Sequence, residues 1–438
     1  MYKVGLVNYT TPYESLKKAI DLAGGIKEIS ENAKVFIKPN FVVWFDAVPF
    51  PKYGVLTTAR MIEDLVILLN EHGITNLTLI EGIVKKDESS DSLLNLATKA
   101  MGLDSLSKKY GLKMIDVHES SVTDIEVDDI KLSVNSDILN ADHIINMPVL
   151  KTHTQCKVSL GIKNLKGLIN INSRKKCHSP GQEMNLDYHV SKFASMLSPT
   201  LNIIDGIYSL ECGPSIYGQA HRSNLIITSK DLISADKVGA TILGYPPESV
   251  PHISLAMSSQ KRVMDLTDLD IKGDVVVDEA IKPLKYIPEH NEAEDMPQLF
   301  EAFGVKGIRL PEVDSTLCTY CVPFFAYATA GIVMSPSESK VYDDIEILSG
   351  KKLKPSGNHK HTLLLGQCQV KLNRKNPNIK DCVMVKGCPP KKSEFINAFR
   401  KLGIQLPDNP IEWMNNLPSF FMAQYNDKPE FEESFYKI

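Results

Sequence analysis

Short apolar runs alternate with amphipathic stripes along the first two thirds of this chain. Val4–Val7, Val35–Ile37, Leu77–Ile80, Met114–Val117, His143–Leu150, Leu201–Ile204 and Leu225–Thr228 are too continuous for half-exposed strands and read as strands buried on both faces. Between them, Leu16, Ala19, Ile20 and Ala23 recur at helical spacing after Thr11-Pro12 and stop at Gly24-Gly25. Ile62, Leu65, Val66 and Leu69 do the same after a Thr57 or Thr58 cap. Ser90–Ala100, Leu103–Tyr110, Tyr188–Met196 and Ser234–Leu243 also read as helices, and Ile125–Val134 as a hairpin turning at Asp128-Asp129. The alternation predicts an α/β fold, a doubly wound and mostly parallel sheet domain over residues 1–275. A composition shift near Lys272–Pro297 separates it from a smaller Cys-rich α+β domain over 285–405. The tail 406–438 carries Trp413, Phe420, Phe421 and Tyr425, enough apolar surface to dock on the body.

Composition narrows the class. The 438 residues, 43% hydrophobic and 23% charged, suit a soluble globular protein able to bury a real core. A net charge of −4 argues against a general nucleic-acid binder, which needs an excess of Lys and Arg over an extended face. The N-terminus lacks an apolar core of signal-peptide length, and no apolar run reaches membrane-spanning length, so a cytoplasmic protein without a membrane partner is expected.

Local charge breaks the acidic average. From Lys151 to Gln182 stand Lys151, Lys157, Lys163, Lys166, Arg174, Lys175 and Lys176, with His153 and His178 and no acidic residue. Val158, Ile162, Leu165 and Ile169 predict a helix from Lys157 that turns Ser159, Lys163, Lys166 and Asn170 outward. The loop after the His143–Leu150 strand holds Lys151, His153, Thr154 and Gln155, at the carboxyl end of a parallel strand where open α/β sheets bind ligands. A solvated basic helix face is the plain alternative. The anion-site reading gives Lys151, His153, Lys163 and Lys166 the chemistry, with Asn40, Glu81 and Asn164 as further ligand contacts. Asp205, Glu211, Asp231 and Asp236 also follow strand ends; metal binding is open to them, but helix capping is the expected role of Asp231 and Asp236.

Five of the eight cysteines fall between Cys318 and Cys388. Cys318-Thr319-Tyr320-Cys321 puts two thiols on one turn, Cys368 follows Gly366 at a strand end, and Cys388 sits in Gly387-Cys388-Pro389-Pro390 before a helix. Cytosolic thiols so spaced suit metal ligation better than disulfides. Cys318, Cys321, Cys368 and Cys388 are expected to bind a [4Fe–4S] cluster, because glycine lets the backbone approach it, with Cys382 as the spare or alternative ligand. Structural zinc is the rival cofactor.

With VLKTH, KVSLGIKNLKGLI, GPSIYG and SKDLISADKVGATILG in view, the chain resembles the domain of unknown function 362 family over about residues 1–260. The resemblance implies an uncharacterised iron–sulfur protein of bacteria or archaea and supplies no substrate. Many members carry a ferredoxin-type insert with dense C-x2-C-x2-C runs, which this chain lacks. No G-x-G-x-x-G follows the first strand and no GxxxxGK[ST] occurs, which argues against a standard nucleotide site. The expected function is therefore an iron–sulfur oxidoreductase or electron-transfer enzyme acting on an anionic small molecule, with a redox partner such as ferredoxin. The alternative is a zinc-stapled, non-redox binding protein or transferase for a phosphorylated or carboxylate ligand.

Overall fold

The apolar runs assemble into one ten-stranded mixed sheet in a computed structural model that describes residues 1–83 and 92–438. Its strands, with one separate hairpin, are β1 (Tyr2–Asn8), β2 (Val35–Pro39), β3 (Leu77–Glu81), β4 (Lys113–Asp116), β5 (Val122–Val127), β6 (Ile130–Asn135), β7 (His143–Met147), β8 (Val149–His153), β9 (Lys157–Ser159), β10 (Leu201–Glu211), β11 (Gln219–Ser229) and β12 (Leu269–Gly273). The main order is β12-β1-β11-β10-β7-β2-β3-β4, with β8 added to β10 and β9 to β8; β5 and β6 form the expected hairpin. From β10 to β4 the strands run parallel, whereas β11 is antiparallel to both β1 and β10. The fold is α/β.

Two compact units are each assembled from sequence-distant pieces. One compact unit comprises Met1–Cys177, Asp187–Tyr286 and Phe421–Ile438; the other comprises His178–Leu186 and Ile287–Phe420. In the first, Ile62, Leu65, Val66 and Leu69 are buried as their spacing required, on a helix that Thr58 caps by accepting from the Met61 N–H at 3.3 Å. The helix expected from Ser90 starts outside the described residues; its described part is Leu93–Ala100, capped by Ser92. The aromatic loop after β2 is packed, with Phe41, Trp44, Phe50 and Tyr53 buried. Tyr425 and Tyr436 of the C-terminal segment are buried against Tyr53, with ring centroids 5.3 and 5.7 Å away.

The stretch after β2's neighbour differs from its periodicity. The His143–Leu150 run is two strands, because Pro148 has no N–H to continue the ladder, and Lys151 and His153 lie within β8 rather than in a following loop. Lys157 takes φ +61°, and the next residues pair back as β9, Thr152 opposite Val158 and Lys151 opposite Ser159. The helix expected from Lys157 is therefore confined to Gly161–Asn164, continued by a 3-10 turn Leu165–Leu168. Val158, Ile162, Leu165 and Ile169 are nonetheless all buried. β10 also outruns its expected end at Asp205-Gly206, since a register shift between Gly206 and Tyr208 absorbs the polar pair.

The second unit is built on β13 (Lys306–Arg309), β14 (Val341–Leu348), β15 (His361–Leu365) and β16 (Asp381–Val385), all parallel in that order. Helix Val322–Val333 lies between β13 and β14, Gln367–Asn373 between β15 and β16, and Lys392–Lys401 follows β16. An α+β arrangement of hairpin-like pieces was expected here, and the parallel ladder corrects it: crossovers through helices require parallel strands. Among the described residues no helix is long and apolar enough to cross a membrane.

Candidate functional site

In the first unit, β3 and β4 extend from one side of β2 and β7 and β10 from the other, so the sheet order reverses at β2, the kind of point where open α/β sheets bind ligands. Lys38 near the end of β2 is fully buried, and its Nζ donates to Glu81 at the end of β3 (2.8 Å), to the Pro39 carbonyl (2.6 Å) and to Asn164 Oδ1 (3.4 Å). Glu81 accepts further from the Phe41 N–H (2.9 Å) and the Gly82 N–H (2.7 Å). Burial pushes Lys38 down and the Glu81 carboxylate opposes it. Gly167 lies over this pair: a methyl group there would stand 2.5 Å from Glu81 Oε1 and 2.7 Å from Lys38 Nζ.

Lys151, 1% exposed, donates to Asn40 Oδ1 (2.5 Å) and to the carbonyls of Val55 (2.8 Å) and Pro214 (3.2 Å). Three acceptors use all three ammonium hydrogens. No carboxylate is among them, and burial, then the nearby Lys163, hold Lys151 well below the usual lysine range. Asn40 Nδ2 donates to Asn164 Oδ1 (2.8 Å), Asn164 Nδ2 to Asn146 Oδ1 (2.8 Å), and Asn146 Nδ2 to Asn202 Oδ1 (3.1 Å). A chain of side-chain amides thus ties the ends of β2 and β8 to β7 and β10, and each amide has both its oxygen and nitrogen engaged, which locks the orientations.

The structure therefore joins Lys151, Asn40, Asn164 and, through Lys38, Glu81 in one hydrogen-bonded network. His153 closes β8, where its Nδ1 accepts from the Gln155 N–H at 3.0 Å. Lys163 and Lys166, three apart and half-buried, come off the short helix and the turn after it. Burial lowers Lys163, and burial with the like charge of Lys163 brings Lys166 down to about 8, partly offset by Cys177. Of the run's cations, Lys157 Nζ donates to the Ser249 carbonyl (2.7 Å), and Arg174 to the carbonyls of Gly82 (2.7 Å), Gly167 (2.6 Å) and Ile169 (3.0 Å).

Sequence reasoning did not select Lys38 or Asn146, and it expected Asp236 to be a helix cap without indicating which helix it caps. Lys38-Pro39-Asn40 at a strand end was the available signal for the first. Asp236 is buried, its oxygens accept from the Gly161 N–H (2.6 Å) and the Ile162 N–H (2.9 Å), and burial raises it to about 7. It caps the helix that carries Lys163 and Asn164 rather than its own, and only folding could bring these segments together. Asp231 caps its own helix through the Ser234 N–H at 2.8 Å. Asp205 is likewise a capping group: it takes both the N–H and the Oγ1 of Thr58 at 2.8 Å.

Residues 35–241, which hold all of this network, match the family model described as Domain of unknown function (DUF362). The likeness to that family covers just under half of the chain. The Thylakoid-associated protein sll1697 of Synechocystis sp. is 29% identical over 134 residues, 30% of this chain. The match spans only 40% of that relative's length. Among solved structures, the lactate racemase apoprotein from Thermoanaerobacterium thermosaccharolyticum aligns at a TM-score of 0.35 and 12% identity, covering 56% of this chain and 57% of that one.

The DUF362 segment also supplies two members of a group able to hold a metal ion. Cys156, Asp187 and His252, the last just beyond it, have ligand atoms all within 4.8 Å of one another. His252 Nδ1 lies 3.2 Å from Asp187 Oδ1. Burial, then Asp187, push the Cys156 thiol up.

Beyond the DUF362 segment, the second unit carries the cysteine constellation. The β15–β16 ladder continues past its last pair, with the Gly366 N–H donating to Val385 O (2.9 Å) and the Gln367 N–H to Gly387 O (3.1 Å), which delivers Cys368 and Cys388 from adjacent strand ends. Cys318 and Cys321 share the turn before helix Val322–Val333, with the Cys321 N–H donating to Cys318 O at 2.9 Å. A hydrogen bond from the Cys321 thiol, followed by backbone N–H groups and Lys351, brings Cys318 down to about 6. Cys321 is pushed up by Cys318 first and also feels Cys368 and Cys388. Gly366 has φ +88°, and a methyl group on it would stand 3.0 Å from Cys321 Sγ, so only glycine fits. Cys382 sits within β16 and packs with the small core of Leu348, Leu364 and Val370.

Proposed function

We propose that this protein is an iron–sulfur oxidoreductase or electron-transfer enzyme that acts on an anionic small molecule. The observation that carries the reading is that adjacent strand ends present Cys368 and Cys388, while Cys318 and Cys321 share one turn and Cys321 Sγ lies against Gly366, a glycine with no room for a side chain. That donor set fits a [4Fe–4S] cluster, which when bound supplies one-electron transfer. Lys351 acts on both Cys318 and Cys368, and its positive charge would offset part of the charge of four thiolates. A redox partner such as ferredoxin would supply or take the electrons, and eight cysteines with no disulfide among them suit a reducing cytoplasm.

Lys163 and Lys166 would hold the anion. Both are lysines whose charge is disfavoured by burial, and an arriving carboxylate or phosphate relieves that cost. Lys151, with its hydrogens committed to protein acceptors, fixes Asn40, which in turn donates to Asn164. His153, at the end of β8, would carry a proton.

Sulfate, which does not titrate near neutral pH, is a suitable calorimetric probe. Lys163→Gln and Lys166→Gln should each weaken sulfate binding at least about tenfold, corresponding to a charged hydrogen bond of about 1.5–3 kcal/mol, while Lys175→Gln and Lys176→Gln stay close to neutral. Because Lys166 loses its proton near 8, sulfate affinity of the unmodified protein should fall as pH rises through that value. Equal affinity in all four variants, or none of this pH dependence, would overturn the anion site.

A further inference from the structure

We infer that Cys156, Asp187 and His252 form a site for one divalent transition-metal ion of the zinc type, held by three protein ligands with one coordination position left open. The site is separate from the C-terminal thiols and takes no residue from them. Its donors are a sulfur, a carboxylate oxygen and an imidazole nitrogen. Such a mixture suits zinc and its neighbours and is foreign to magnesium or calcium, which take oxygen alone. Nitrogen and oxygen ligands about 2.0–2.1 Å from a tetrahedral ion stand about 3.3 Å apart. His252 Nδ1 and Asp187 Oδ1 stand 3.2 Å apart.

The three come from elements that the fold fixes. Cys156 lies in the turn between β8 and β9, its N–H donating to His153 O at 3.2 Å and its carbonyl accepting from the Val158 N–H at 2.7 Å. Asp187 is in the first turn of helix Leu186–Met196, and His252 in the first turn of helix Pro251–Ser259. The His252 ring is fully buried, and its Nε2 has no hydrogen-bond partner, so the contact toward Asp187 and Cys156 is what orients it. Charge also fits: one thiolate and one carboxylate neutralise a divalent ion, and a neutral complex is what a buried site tolerates. With three ligands supplied, the remaining position is free for water or for a ligand atom. Lys163 is within electrostatic reach of both Cys156 and Asp187, which favours an anionic occupant there.

The test is zinc titration of the chelator-stripped full-length protein against a chromophoric competitor, in wild type, Cys156→Ser and His252→Gln. Each variant should bind one zinc ion fewer than wild type or bind it at least 100-fold more weakly, and cobalt should give a thiolate charge-transfer band that Cys156→Ser loses. Identical zinc stoichiometry and affinity in all three proteins would overturn the site. A readout free of any folding defect is anomalous diffraction from wild-type crystals grown with zinc: a peak among these three side chains is expected, and zinc found only elsewhere would also overturn it.

Discussion

Glu81→Ala should destabilise the protein by about 3–5 kcal/mol, the usual penalty for removing one partner of a buried ion pair. Lys38 and Glu81 are essentially without solvent contact, and the Glu81 carboxylate also takes the N–H groups of Phe41 and Gly82. Its loss leaves the ammonium without a counter-charge and two amides without their acceptor behind Gly167. Lys38 can escape only by shedding its proton, and burial already pushes it that way. The unfolded chain then binds more protons than the folded one, so the variant's stability should climb with pH toward the ordinary lysine value of about 10.4. Denaturant midpoints measured across pH check both statements. A double replacement, Lys38→Met with Glu81→Leu, should recover part of the loss, because two apolar groups leave no orphaned charge. If Glu81→Ala unfolds at the wild-type midpoint, the buried pair does not stabilise the fold.

The second large effect concerns the thiols. Cys318→Ser, Cys321→Ser and Cys388→Ser should each abolish iron binding and unfold the region after Ser315, since metal binding in a Cys-rich region is also folding energy. Gly366→Ala should lose iron as well: its φ is +88° and its new methyl would press on Cys321 Sγ. Cys382→Ser should be mild, because that thiol belongs to an apolar cluster on the sheet. Iron and acid-labile sulfide content of anaerobically purified protein, with limited proteolysis, reads both outcomes. Iron lost from Cys382→Ser but kept at full occupancy in Cys368→Ser would mean that the fourth ligand is misassigned, and zinc in place of iron would leave the thiols as a structural staple.

Much of the architecture was legible before folding, because burial leaves its mark on every residue it covers. The apolar runs of β1, β2, β3 and β7 and the stripe of Ile62, Leu65, Val66 and Leu69 needed only period and length to be read. The ends of β2 and β3 were legible too, so Asn40 and Glu81 could be marked from their positions, whereas Lys151 was expected beyond its strand and lies within β8. Local pattern failed where two structures share one pattern: Val158, Ile162, Leu165 and Ile169 are buried whether the chain is a helix or a strand followed by a turn, and the pairing of β9 with β8 decided it. Partnerships were not legible at all. That Lys38 meets Glu81, that Asp236 caps a helix 75 residues away, and that Cys156, Asp187 and His252 converge depends on crossovers bringing distant segments together. A side chain's type states what it can bond. Only the tertiary structure states which of those bonds burial has made obligatory, because a polar group is costly only once water has been removed from it.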